Sequence, residues 1–179
     1  MLWVDQWVTG EYWERHQVPR KQRGSRPSGF QTRAMKASLF DAIPWVTVRD
    51  RLSDLPNPQS REARAIPNQV FQPRARTYVG HTGSPFDEPA KTLKAGDHGV
   101  PGGENMIAFP TGEVRYFSVR EAAWMQTFPD EFVFNSSWTE NMRQLGNAVP
   151  VEFGRIIAEE IKQKLVSRRR RKDNGGDAH

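Results

Sequence analysis

The residues able to do chemistry fall into two small groups. Lys91, Thr92, Leu93 and Lys94 form one run, and Arg74 and Arg76 form a basic pair upstream of it. Cations on irregular segments suit a polyanionic partner. For Arg74, Arg76, Lys91 and Lys94 a solvated surface role weighs about as much as a contact to a polyanion. The second group is the turn Gly146-Asn147-Ala148-Val149-Pro150, which offers an amide beside small apolar surface. The chain contains 0 cysteines. That excludes a thiolate nucleophile, a disulfide, an iron–sulfur cluster and a cysteine zinc site. His16, His81, His98 and His179 are too scattered for a metal site.

These groups need a scaffold, and the composition limits it. The 179 residues are 36% hydrophobic with 13 Pro and 14 Gly, so one or two small loop-rich units are expected, with no large core. A formal net charge of +5 favours a polyanionic partner. No apolar run is long enough to span a bilayer and no signal-peptide pattern opens the chain, so a soluble, intracellular protein is expected.

Trp3, Val4, Trp7, Val8, Tyr12 and Trp13 recur at helical spacing over residues 2–14. That segment is either a core helix or one whose burial partner lies upstream of this sequence. Residues 15–38 are basic and polar, a loop. Thr47 followed by Asp50 predicts an N-cap and a helix that Pro56 stops. Residues 56–76 read as irregular. Met106–Phe109 and Val114–Phe117 flank Pro110-Thr-Gly-Glu113 as a hairpin. Ser118 with Glu121 predicts a capping box and a helix to about Thr127. Ser137 with Glu140 repeats the device, and Gly146-Asn147 reads as a left-handed C-cap. Pro150 opens a last helix to about 167, with Phe153, Ile156, Ile157, Ile161 and Leu165 as its apolar stripe. Residues 168–179 read as a disordered basic tail.

Two blocks, Arg115-Tyr-Phe-Ser-Val-Arg-Glu-Ala-Ala-Trp-Met-Gln-Thr-Phe-Pro-Asp130 and Gln144-Leu-Gly-Asn-Ala-Val-Pro150, resemble the ninth and tenth motifs of DNA cytosine-5 methyltransferases. Glu88-Pro-Ala-Lys-Thr-Leu-Lys-Ala-Gly96 is similar to the end of that family's target-recognition region, with its Thr-Leu pair at Thr92-Leu93. Gly80–Pro85, Pro44–Pro56 and Trp7–His16 also look like bacterial members, so the resemblance runs from about Trp3 to Leu165.

The resemblance implies an α+β fold. A loop-rich target-recognition region with short strands (15–117) precedes helical motifs (118–167) that pack on an α/β, Rossmann-like methyltransferase domain. Residues 1–14 would end the catalytic half, and 168–179 would be the tail. It implies methyl transfer from S-adenosylmethionine to cytosine C5 in double-stranded DNA, in a bacterial, cytoplasmic, nucleoid-associated protein of a restriction–modification system. Asn147, Ala148 and Val149 would line the cofactor pocket. Thr92 and Leu93 would face the DNA backbone, with Lys91, Lys94, Arg74 and Arg76 beside them. Arg115, Arg120, Gln126 and Asp130 would be scaffold. No membrane and no metal are implied.

The departures from the family pattern are specific. No Phe-x-Gly-x-Gly loop and no Pro-Cys occur. Glu104-Asn105-Met106 echoes the family's Glu-Asn-Val acid from the wrong side of the recognition region, and reads as a coincidence at a strand entry. Gln72-Pro-Arg-Ala-Arg76 matches Gln-x-Arg-x-Arg by letters and reads as a decoy. The expectation is a target-recognition and C-terminal portion, inactive alone and active with a catalytic half that carries the nucleophile. A non-catalytic, sequence-selective DNA-binding module and an inactive truncated relic are the alternatives.

Overall fold

In the computed structural model, residues 4–26, 45–95 and 103–174 are described. The Trp3, His98 and His179 readings, most of the 15–38 loop and the last part of the tail lie outside them. Short elements joined by long irregular segments dominate, as the Pro and Gly content implies. A π-helical turn, Asp5–Thr9, is broken by Gly10 in the left-handed conformation, and α1 (Glu11–Arg15) follows. The amphipathic segment is therefore two pieces rather than one helix. Tyr12 and Trp13 are buried with Val18 inside this chain, and Trp7 packs edge-on against Trp13. The Tyr12 hydroxyl lies 2.9 Å from the Thr47 hydroxyl and donates to Asp87 at 2.8 Å. These contacts tie the N-terminal segment to Thr47 and Asp87.

Helix α2 (Val48–Leu52) begins at a full capping box formed by Thr47 and Asp50. Strand β1 (Ser84–Pro85) pairs in parallel with β2 (Met106–Ala108), which pairs antiparallel with β3 (Val114–Tyr116). The expected hairpin is present, closed by Phe109 and Glu113. Helix α3 (Val119–Met125) starts at the Ser118–Glu121 capping box. Helix α4 (Trp138–Asn147) is capped by Ser137 alone, because Glu140 bonds Arg143 and Gln144 instead of reaching back.

One hydrophobic core joins α2, the Leu93 segment and the sheet to helices α3 and α4. Val48, Leu52, Leu93, Ile107 and Phe117 pack with Val119, Ala122, Ala123, Met142 and Leu145. The sheet is too small to bury a face alone. Helices α3 and α4 cover it.

Helix α5 spans Val151–Asn174, longer than expected, so residues 168–174 are helical rather than a disordered tail. With about 1.5 Å of rise per residue it is roughly 36 Å long. Phe153, Ile156, Ile157, Ile161 and Leu165, its whole apolar stripe, are exposed. No helix among the described residues is long and apolar enough to cross a membrane.

Candidate functional site

The Lys91–Lys94 run is held by its backbone. The Lys91 amide donates to the Ser84 hydroxyl at 3.0 Å, and the Lys94 amide donates to Asn105 Oδ1 at 3.0 Å. Asn105 Nδ2 returns a bond to the Lys94 carbonyl at 3.3 Å. Asn105 is fully buried, so this two-way clasp fixes the path of the run in a dry environment. The Glu104-Asn105 pair therefore has a structural purpose at the entry to β2, which its letters alone did not disclose.

The side chains of the run then diverge. Thr92 is exposed, while Leu93 is only 4% exposed and belongs to the main core. Leu93 as a DNA contact is corrected on this ground: an apolar side chain in the core cannot also face a duplex. Lys91 Nζ donates to the Thr82 hydroxyl at 3.0 Å and stays exposed. Lys94 Nζ pairs with Glu104 at 3.2 Å, and the same carboxylate meets His81 Nδ1 at 3.0 Å. Burial pushes the Glu104 carboxyl up, but His81, its own backbone amide and Lys94 together hold it below the ordinary value. Lys94 is thus partly neutralised in place.

Arg74 and Arg76 are exposed and line an open concavity with Tyr78 and Tyr116. Arg74 adopts a positive φ of 71°, uncommon for a residue with a side chain. No described hydrogen bond or ion pair ties either arginine to the Lys91–Lys94 run.

The Asn147–Val149 turn is built differently from a left-handed cap. Helix α4 continues through Gly146 and Asn147, and Ala148 leaves it in an extended conformation, φ −76° and ψ 146°. Gly146 serves close packing instead. A Cβ there would fall 2.8 Å from the Lys94 carbonyl carbon and 2.9 Å from the Ala95 nitrogen, too near to be accommodated. The turn is consequently seated on the end of the Lys91–Lys94 run. Asn147 is exposed and Val149 is 61% exposed, continuous with the bare stripe of α5.

Residues from the first block hold this turn. Gln126 Nε2 donates to the Leu145 carbonyl at 3.0 Å, and the Val151 amide donates to the Gln126 carbonyl at 3.0 Å. The Thr127 hydroxyl accepts from the Glu152 amide at 2.8 Å, capping the first turn of α5. Thr127 does so at a φ of 57°, a strained value for a β-branched residue. This capping role was missed from sequence, because its donor lies in α5, beyond the whole of α4.

Arg115, Arg120 and Asp130 are scaffold. Arg115 grips Glu121 bidentately at 2.6 and 2.7 Å. Arg120, 1% exposed, donates to the carbonyls of Pro67, Pro129 and Phe132. Asp130 accepts from Trp124 Nε1 at 2.6 Å. Among the described residues no group of three or more His, Cys, Asp or Glu could hold a metal ion.

The family model described as C-5 cytosine-specific DNA methylase matches residues 9–163. The type II methyltransferase M.SacI of Streptomyces achromogenes is 30% identical, covering 69% of this chain and 39% of its own length. M.MthTI of Methanothermobacter thermautotrophicus is 30% identical, covering 67% of this chain and 44% of its own. M.AgeI of Thalassovita gelatinovora is 54% identical over 48 residues, 27% of this chain and 11% of its own. The chain thus spans about two-fifths of the length of the first two relatives. No solved structure matches. The chain belongs to the C-5 cytosine-specific DNA methylase family.

Proposed function

We propose that this chain is the target-recognition and C-terminal portion of a DNA cytosine-5 methyltransferase, acting with a catalytic segment that carries the Pro-Cys nucleophile. The observation that carries this reading is the bare face running from Val149 through Phe153, Ile157 and Ile161 to Leu165. A soluble monomer rarely leaves so continuous an apolar surface uncovered. The face adjoins the Asn147–Val149 turn in a chain that belongs to the family and has 0 cysteines. Its occupant is the α/β domain of that catalytic segment, on the same polypeptide or another.

S-adenosylmethionine supplies the methyl group when bound. Asn147, Ala148 and Val149 fit one wall of its pocket. No described side-chain hydrogen bond engages Asn147, so its amide is available, and Val149 offers exposed apolar surface to a flat base. Gln126 and Thr127 orient that wall. On the DNA side, Lys91, Arg74 and Arg76 would position phosphates while Thr92 meets the backbone. Lys94 joins them only by leaving Glu104. Cytosine attack itself requires a thiolate and an extruded base, and both belong to the catalytic segment.

The test combines this chain with a catalytic segment that carries Pro-Cys and the family's glycine loop. Transfer of labelled methyl groups to duplex DNA by the pair, and by neither part alone, is the expected result. A soluble, assembled and inactive pair would overturn it.

A further inference from the structure

The segment Tyr78–His81 forms a hairpin with a two-residue tip. The Tyr78 amide donates to the His81 carbonyl at 3.2 Å, and the His81 amide returns the bond to the Tyr78 carbonyl at 2.8 Å. The Tyr78 and His81 rings pack against each other across the base of this turn, tilted by 33° with centroids 4.4 Å apart. Gly80 adopts a φ of 79°, which only glycine takes without strain, and so allows the tight reversal. The other tip residue is Val79, and it is 100% exposed, the highest value among the described large apolar residues.

A β-branched apolar residue is an unusual choice for a turn tip, where Asn, Asp, Ser or Pro normally sit. No described residue covers it. The hairpin is also braced at its exit. His81 meets Glu104 at 3.0 Å, and Thr82 just beyond it accepts from Lys91 at 3.0 Å. Exposed Arg74 and Arg76 lead into it, and Lys91 and Thr92 flank its exit. An apolar tip preceded by Arg74 and Arg76 and followed by a Thr82 that holds Lys91 suits a DNA groove, where phosphates form the edges and base-pair edges form the floor. An isopropyl group has no hydrogen-bonding capacity, so the floor group that it can distinguish is the thymine C5 methyl in the major groove.

We propose that Val79 is a specificity-determining residue that reads a thymine methyl in the target duplex. This rests on the reading of the chain as the target-recognition portion of a DNA methyltransferase. The alternative use of such a tip, as a wedge between stacked bases, is separated from it by the test below.

The assembled, methylating enzyme is used, with its recognition sequence mapped by bisulfite sequencing. Equilibrium binding is then measured on duplexes in which each thymine in and beside that sequence is replaced in turn by uracil, which lacks only the methyl. At one position the wild-type enzyme should lose about fourfold in affinity, the effect of one methyl-sized apolar contact. Val79→Ala should bind the thymine and uracil versions of that position equally, while Val79→Ile keeps the discrimination. Arg76→Ala should instead weaken every duplex alike and lower the salt dependence. Val79 is fully exposed, so its variants should retain the wild-type circular dichroism. If Val79→Ala keeps the wild-type thymine-to-uracil ratio everywhere, or weakens both versions equally as a lost wedge would, the inference is overturned. Sequence-selective binding with no role for Val79 defeats this inference alone. Absence of any sequence-selective duplex binding by the wild-type assembly defeats the parent reading with it.

Discussion

Gly146 rests on Ala95 so closely that a Cβ at position 146 would lie 2.9 Å from the Ala95 nitrogen and 3.0 Å from its Cβ. The helix that ends in the Asn147–Val149 turn and the run that presents Thr92 are therefore in direct backbone contact. Gly146→Ala must push the two apart. Overpacking of this kind costs roughly 1–3 kcal/mol, and at an unyielding backbone contact the loss should reach the upper part of that range. Thermal or urea unfolding checks it. An unchanged midpoint would show that the contact yields freely.

Arg120 joins three separate segments through its guanidinium, with no carboxylate partner among the described ion pairs. Replacing it by Met, similar in length and apolar, leaves the carbonyls of Pro67, Pro129 and Phe132 without their donor. Pro67, Pro129 and Phe132 are exposed residues whose carbonyls water can partly serve, so the lost bonds together should cost roughly 1.5–3 kcal/mol in chemical denaturation. Arg120→Lys should recover only part of it, since an ammonium cannot reproduce the planar fork.

Asp50 gives the fold a dependence on acid. Burial pushes its carboxyl up, but the Thr47 amide, His16, the Thr47 hydroxyl and Arg15 outweigh that and hold it below its ordinary value of 3.8. A folded value below the unfolded one means that the stabilisation is fully present above about pH 4. It is lost as pH falls through the depressed folded value. The stability of the wild-type chain should therefore drop on acidification below that point. Asp50→Asn should flatten this limb and lower the plateau by about 1 kcal/mol, the usual worth of a capping interaction. An identical acid limb in the variant would assign the effect elsewhere.

Ile157 is 42% exposed and lies in the middle of the bare stripe of α5. Ile157→Glu should leave the stability of the isolated chain within about 0.5 kcal/mol, because no packed neighbour is lost. It should weaken association with the catalytic segment at least tenfold, since a carboxylate would be buried unpaired. Calorimetric titration of the two parts reads the difference. Unaltered association would place the docking face elsewhere on the chain.

What could be read from sequence was local. The capping residues Thr47, Ser118 and Ser137 were legible because an N-cap acts on an amide three positions ahead, within the same short string. The β2–β3 hairpin was legible for the same reason, and so was the stripe of α5, whose period is set by one helix. The family motifs were legible as letters. Tertiary structure alone decided how distant strings meet. Gly146 was misread as a cap because its neighbour Ala95 is remote in the chain. Leu93 and Lys94 adjoin in sequence, yet one enters the core and the other meets Glu104. Asn105 had the letters of a catalytic motif and serves to clasp the Lys94 backbone. Thr127 caps a helix that begins well beyond its own. Hydrogen bonds and periodicity within a turn or two depend on neighbouring residues only. Burial, close approach and ion pairing depend on which surfaces the whole chain brings together.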